Sequence, residues 1–146
     1  MQGRWDEIVE EVQRAGVGAT MEGASSEELI AVANAARYLR RWDLAREALH
    51  AERRRFANTA RALDATYLLG RLEEARGQLP EAMSWYRGYL RRAPTGPYVS
   101  ESLGRMMTLA REGGDPIEAK ALADQYLRRF TEGSYAAAAR AVLGLP

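Results

Sequence analysis

One histidine, His50, and no cysteine leave little in this 146-residue chain that could hold a metal or attack a carbonyl. A thiolate nucleophile, a disulfide and a cysteine metal set are excluded by composition, and a lone histidine cannot complete a triad or a ligand set. His50 lies among Leu44, Ala45, Ala48 and Leu49 at helical spacing and reads as a structural or surface residue. The paired carboxylates Glu27-Glu28 and Glu73-Glu74 fall on predicted helices, where neighbours point about 100° apart and cannot flank one bond. Gly16-Val17-Gly18 and Gly113-Gly114 lack the Lys-Ser/Thr ending of a phosphate loop and follow helices, not strands. No catalytic residue, cofactor, metal ligand or small-molecule substrate is therefore expected, and the chain does not read as an enzyme.

The arginine pairs Arg54-Arg55, Arg91-Arg92 and Arg128-Arg129 could make a phosphate-binding ridge. Each falls in the last turn of a predicted helix, where a cation meets orphan carbonyls and the macrodipole, so capping is the expectation. With 21 basic and 20 acidic residues no whole-molecule field draws in nucleic acid, which is the lesser reading. Trp85, Tyr86, Tyr89 and Tyr126 could stack bases, but their helical spacing assigns them to packing between repeat units. No apolar run reaches the roughly 18 residues that span a bilayer, so no membrane insertion by this chain is expected.

What positions these residues is a repeat. Trp5-Asp6 returns 37 residues later as Trp42-Asp43; Ala45, Ala82 and Ala119 share that spacing, as do the three arginine pairs. Within each period the apolar residues follow helical spacing, as in Leu29, Val32, Ala33 and Ala36 or Ala82, Tyr86, Tyr89 and Leu90. Ser25 with Glu28 reads as a capping box, Asp115-Pro116 as a helix start, and Gly77, Gly113-Gly114 and Gly133 as left-handed helix stops. The pattern predicts helices near 4–15, 26–39, 43–56, 59–76, 80–92, 97–112, 116–130 and 134–143, with 16–24 as the longest connection and no strands. Fold class is all-α: a right-handed solenoid of antiparallel A and B helices, about eight in number. It forms a single domain with a capping helix and loop at 4–24, repeats at 25–57, 58–94 and 95–131, and a capping helix at 132–146. A chain that opens in a B helix is expected to have been cut from a longer protein.

Leu69-Gly70, Glu81-Ala82, Tyr86 and Pro94 resemble the tetratricopeptide repeat, which pairs Leu-Gly on helix A with small, aromatic and proline positions on helix B. The flanking units carry Ala33 and Met107 at the glycine position, and Ala57 and Thr131 at the proline position. Residues 26–144 are also similar to repeats of bacterial envelope proteins, namely the outer-membrane assembly and cell-division coordinator lipoproteins and the repeats appended to FecR-type sigma-factor regulators. The resemblance implies a non-catalytic scaffold that binds a protein or peptide partner, with a FecR-type spacer or sensor appendage as the alternative. It implies a periplasmic setting for an excised piece and a cytoplasmic one for a full-length chain.

In such repeats the A helices line the concave face, and the family's groove-facing positions, carried along the 37-residue register, give three sets. They are Glu27, Ile30, Asn34, Arg37 and Tyr38; then Asp64, Tyr67, Arg71 and Glu74; then Glu101, Arg105, Thr108 and Arg111. The protein-binding groove is thus expected at Asn34, Arg37, Tyr38, Tyr67, Arg71, Arg105, Thr108 and Arg111, with the tyrosines as exposed anchors for a peptide segment.

Overall fold

The computed structural model describes residues 2–146, and every regular element among them is an α-helix. These are α1 (Gln2–Ala15), α2 (Val17–Gly23), α3 (Ser26–Tyr38), α4 (Trp42–Arg55), α5 (Ala60–Ala75), α6 (Leu79–Arg92), α7 (Val99–Glu112), α8 (Pro116–Arg129) and α9 (Ala136–Val142). The predicted helices are all present, their ends displaced by two residues at most. α3 packs on α4 and α4 on α5, and likewise α7 on α8 and α8 on α9, a helical-repeat arrangement. The chain divides into two compact units, Met1–Ala82 and Met83–Pro146, with the division inside α6.

The expected connection at 16–24 is corrected: most of it is α2. Three glycines suggest a loop, but Met21 is buried, Thr20 Oγ1 donates to the Gly16 carbonyl at 2.9 Å, and Arg55 Nη1 donates to the Met21 carbonyl at 2.8 Å. Tertiary anchoring overrides the weak local propensity.

Helix ends follow side-chain chemistry. Ser25 Oγ accepts the Glu28 amide at 3.1 Å while the Ser25 amide donates to Glu28 Oε1 at 3.2 Å, a complete capping box that holds the Glu28 carboxyl below its ordinary pKa. Asp115 Oδ1 accepts from the Glu118 amide at 3.0 Å, with Pro116 opening α8. Between A and B helices the chain turns through one left-handed residue per period: Arg40 (φ 58°), Gly77 (φ 77°) and Gly114 (φ 77°). Each turn closes alike, with Arg41, Gln78 and Asp115 amides donating to the Ala36, Glu73 and Ala110 carbonyls at 2.7–2.9 Å. Gly133 departs from expectation, because its backbone is not left-handed; a Cβ there would overlap the Tyr126 phenol.

In the first unit α3 packs on α4 and α4 on α5, burying Leu29, Ala35 and Ala36, then Ala45, Ala48 and Leu49, then Ala65, Leu69 and Leu72. Alanines on the facing stripes let the helix axes approach. Two carboxylates are buried with these residues. Glu73 accepts from Arg46 Nη2 at 2.6 Å and lies 3.4 Å from Arg76, and Glu52 accepts from Ser26 Oγ at 2.5 Å.

In the second unit a tyrosine device occurs twice, 37 residues apart. Tyr89 is buried on α6, and its phenol oxygen accepts the Tyr98 amide at 2.9 Å. Tyr126 on α8 accepts the Tyr135 amide at 3.0 Å in the same way. The rings of each pair meet edge to face, with centroids 6.1 Å and 5.9 Å apart. Gly96 and Gly133 occupy the turns beneath, where a side chain would strike the phenol oxygen. Each B helix thereby fixes the start of the helix after it.

Candidate functional site

The A helices place the expected groove residues as follows. On α3, Asn34 and Arg37 are half-buried, while Tyr38 is 58% exposed with its ring centroid 5.7 Å from that of Trp5. On α5, Arg71 is half-buried and donates from Nη1 to the Tyr67 hydroxyl at 3.1 Å. On α7, Arg105 and Thr108 are half-buried and Arg111 is exposed. Thr108 Oγ1 is turned back onto the Gly104 carbonyl at 3.0 Å, so its hydroxyl proton is engaged by its own helix. The first unit thus brings Tyr67 to Arg71, and α3 touches α5; in the second unit Arg105, Thr108 and Arg111 follow one another along a single helix.

Tyr67 requires a correction. It is 4% exposed, so it is no exposed anchor, and its hydroxyl accepts from Arg71. α5 buries Ala62, Ala65, Thr66, Tyr67, Leu69, Gly70, Leu72 and Glu73, an arc wider than a single apolar stripe. The register position next in line, Gly104, is buried too, because the Tyr135 ring lies against it.

Electrostatics at these positions are local. Tyr135 donates to Glu101 Oε1 at 2.9 Å beside Arg105, and burial, reinforced by the Glu101 contact, pushes its phenol pKa up while Arg105 opposes the shift. Burial also raises the Asp64 carboxyl. His50 is half-buried, and desolvation followed by the Arg53 and Arg46 charges drives its pKa below the ordinary value, favouring the neutral imidazole. Among the described residues no three His, Asp or Glu side chains gather where they could hold a metal ion. No described helix is long and apolar enough to cross a membrane.

The first and third arginine pairs also reach beyond their own helix ends. Arg55 reaches back to the Met21 carbonyl, and Arg129 Nη2 donates to the Pro94 carbonyl at 3.0 Å; each guanidinium lies over the next ring, Phe56 at 4.9 Å and Phe130 at 5.3 Å. Arg54 pairs with Glu22 at 3.0 Å and Arg128 with Asp124 at 2.9 Å. Arg55 thus ties α4 to α2, and Arg129 ties α8 to the turn before α7.

Sequence reasoning missed one concave feature: a cleft of about 410 Å³ between α1, α2 and α3, walled by Ile8, Val12, Ala15, Ala24 and Val32 and edged by Glu11 and Glu28. The signal was present, since Ala15 and Ala24 stand at register positions that the last two repeats fill with tyrosines. A second cleft of about 420 Å³, in the second unit, includes Arg111, Pro116, Lys120 and Val142.

No curated protein matches the chain. The tetratricopeptide repeat family model matches residues 31–97, from within α3 to the turn before α7, and that stretch is similar to tetratricopeptide repeats.

Proposed function

We propose that the chain is a non-catalytic scaffold that binds a protein segment through polar positions on its A helices. Tetratricopeptide repeats generally mediate protein–protein interactions. The observation that carries the reading is the recurrence, one period apart, of accessible or half-accessible polar side chains on α3, α5 and α7: Asn34, Arg71 and Thr108, flanked by Arg37, Tyr38, Arg105 and Arg111. Arginine and tyrosine dominate binding energy at interfaces more often than other residues. The envelope setting, in assembly or signalling, rests on the sequence resemblance of residues 26–144, and the neighbouring genes test it.

The binding test uses Arg71→Ala with Arg105→Ala against Arg91→Ala with Arg92→Ala. Tyr67 is left intact because truncating a buried aromatic would confound stability with binding. With a partner isolated by affinity capture, the A-helix variant should weaken binding at least tenfold at unchanged helicity, and the helix-end variant should not. The reverse result refutes the assignment.

A further inference from the structure

The first B helix is interrupted where the others run on. Gly16, at φ 94°, stands in register with Arg53, Leu90 and Leu127, all inside continuous helices. Two register positions near this break lose the aromatic device of the second unit. Ala15 takes the place of Tyr89 and Tyr126, and Ala24 that of Tyr98 and Tyr135, while the unit between them carries Glu52 and Arg61 at these positions. Both alanines line the cleft between α1, α2 and α3. The cleft therefore lies at the register positions where the second compact unit twice brings two rings together, and its walls of alanine, valine and isoleucine are those an aromatic side chain would meet.

Charge is segregated around it. The first 30 residues carry seven carboxylates against two arginines, while the rest of the chain has an excess of six basic residues. Glu22 is engaged by Arg54 and Glu28 by the capping box, but Asp6, Glu7, Glu10, Glu11 and Glu27 are all exposed, and Glu11 stands on the cleft edge. An apolar slot with an acidic border complements an aromatic residue flanked by cations.

We propose that this cleft docks a peptide segment of a partner protein, which inserts an aromatic side chain where the tyrosine pair is missing and sets Arg or Lys against the carboxylates of α1. This surface is separate from the A-helix positions of the preceding proposal, and either can fail without the other.

The test is fluorescence anisotropy with a panel of labelled dodecapeptides carrying one Trp, Tyr or Phe among Arg and Lys. Control peptides replace the aromatic by Ala, or the basic residues by Glu. The intact chain should bind the aromatic–basic peptides saturably, with affinity falling at least tenfold for either control. Glu11→Lys, a surface change, and Ala15→Tyr, which restores a ring to the slot, should each reduce affinity at least tenfold, whereas Arg71→Ala should not. If Ala15→Tyr loses helicity, Glu11→Lys decides alone. Absence of saturable binding across the panel, or binding unchanged in Glu11→Lys, overturns the proposal. A dimer in sedimentation equilibrium that Glu11→Lys dissociates would give the cleft to a second copy and overturn it equally.

Discussion

Gly96→Ala and Tyr89→Phe should not add. A methyl group on Gly96 would overlap the Tyr89 phenol oxygen and come within 2.9 Å of the Ala93 Cβ, and the ring cannot retreat because Tyr89 is fully buried. Overpacking of this kind costs about 1–3 kcal/mol, and the cost is steric alone, because Gly96 is not left-handed and alanine adds no backbone strain there. Tyr89→Phe deletes the acceptor of the Tyr98 amide, and a donor left without a partner costs about 1–3 kcal/mol, toward the lower end here because Tyr98 is half-exposed. Once the oxygen is gone, the added methyl meets only Ala93. The double variant should therefore be more stable than the sum of the singles by about 1–2 kcal/mol. Urea unfolding of the four proteins, followed by far-UV circular dichroism, measures this coupling, and the Tyr126/Gly133 cycle should repeat it 37 residues on. Additivity within about 0.5 kcal/mol in both cycles would mean that the glycines are not there to admit the phenols.

Three further outcomes are expected. Arg40→Gly should stabilise the chain by about 1 kcal/mol in the same unfolding assay, since Arg40 occupies at φ 58° the turn position that Gly77 and Gly114 fill without strain; a loss of stability would show the arginine side chain to matter more than its backbone. Arg46→Ala should cost about 1–2 kcal/mol by leaving the buried Glu73 carboxylate to Arg76 alone, a figure held down by the 41% exposure of Arg46, and an unchanged midpoint would refute that pairing. His50 has a folded pKa below its ordinary 6.5, so the unfolded chain binds the proton more readily. Its effect on stability is absent well above pH 6.5 and becomes a loss as pH falls below it; His50→Gln should flatten the curve there, and a parallel curve would contradict this sign.

Much of the fold was legible because the 37-residue register is written in several residue types at once, and helix caps such as Ser25 and Asp115 act through nearest neighbours in sequence. What escaped depends on packing. Residues 16–24 look like a loop by glycine content, yet Met21 and the Arg55 contact fold them into α2. Gly133 reads as a helix stop, although the reason for it is a phenol oxygen seven residues earlier in the chain. Tyr67 shares its register with groove positions, but burial of α5 on several faces sets its exposure, and one helix's pattern does not reveal how many neighbours surround it. The cleft beside α1 was hidden differently: it is marked by two alanines, whose meaning appears only once the tyrosines elsewhere in the register are known to meet.

The arginine ties at Arg55 and Arg129 reach back 34 and 35 residues, just short of one period. A link of that span closes as soon as its own helix pair and the segment just before it have formed, without waiting for distant parts of the chain. Assembly can then advance pair by pair, at rates typical of low contact order. Evolution gains the same freedom: a whole period inserted or deleted at a turn between pairs lengthens or shortens the array while each guanidinium still finds a carbonyl one unit behind it.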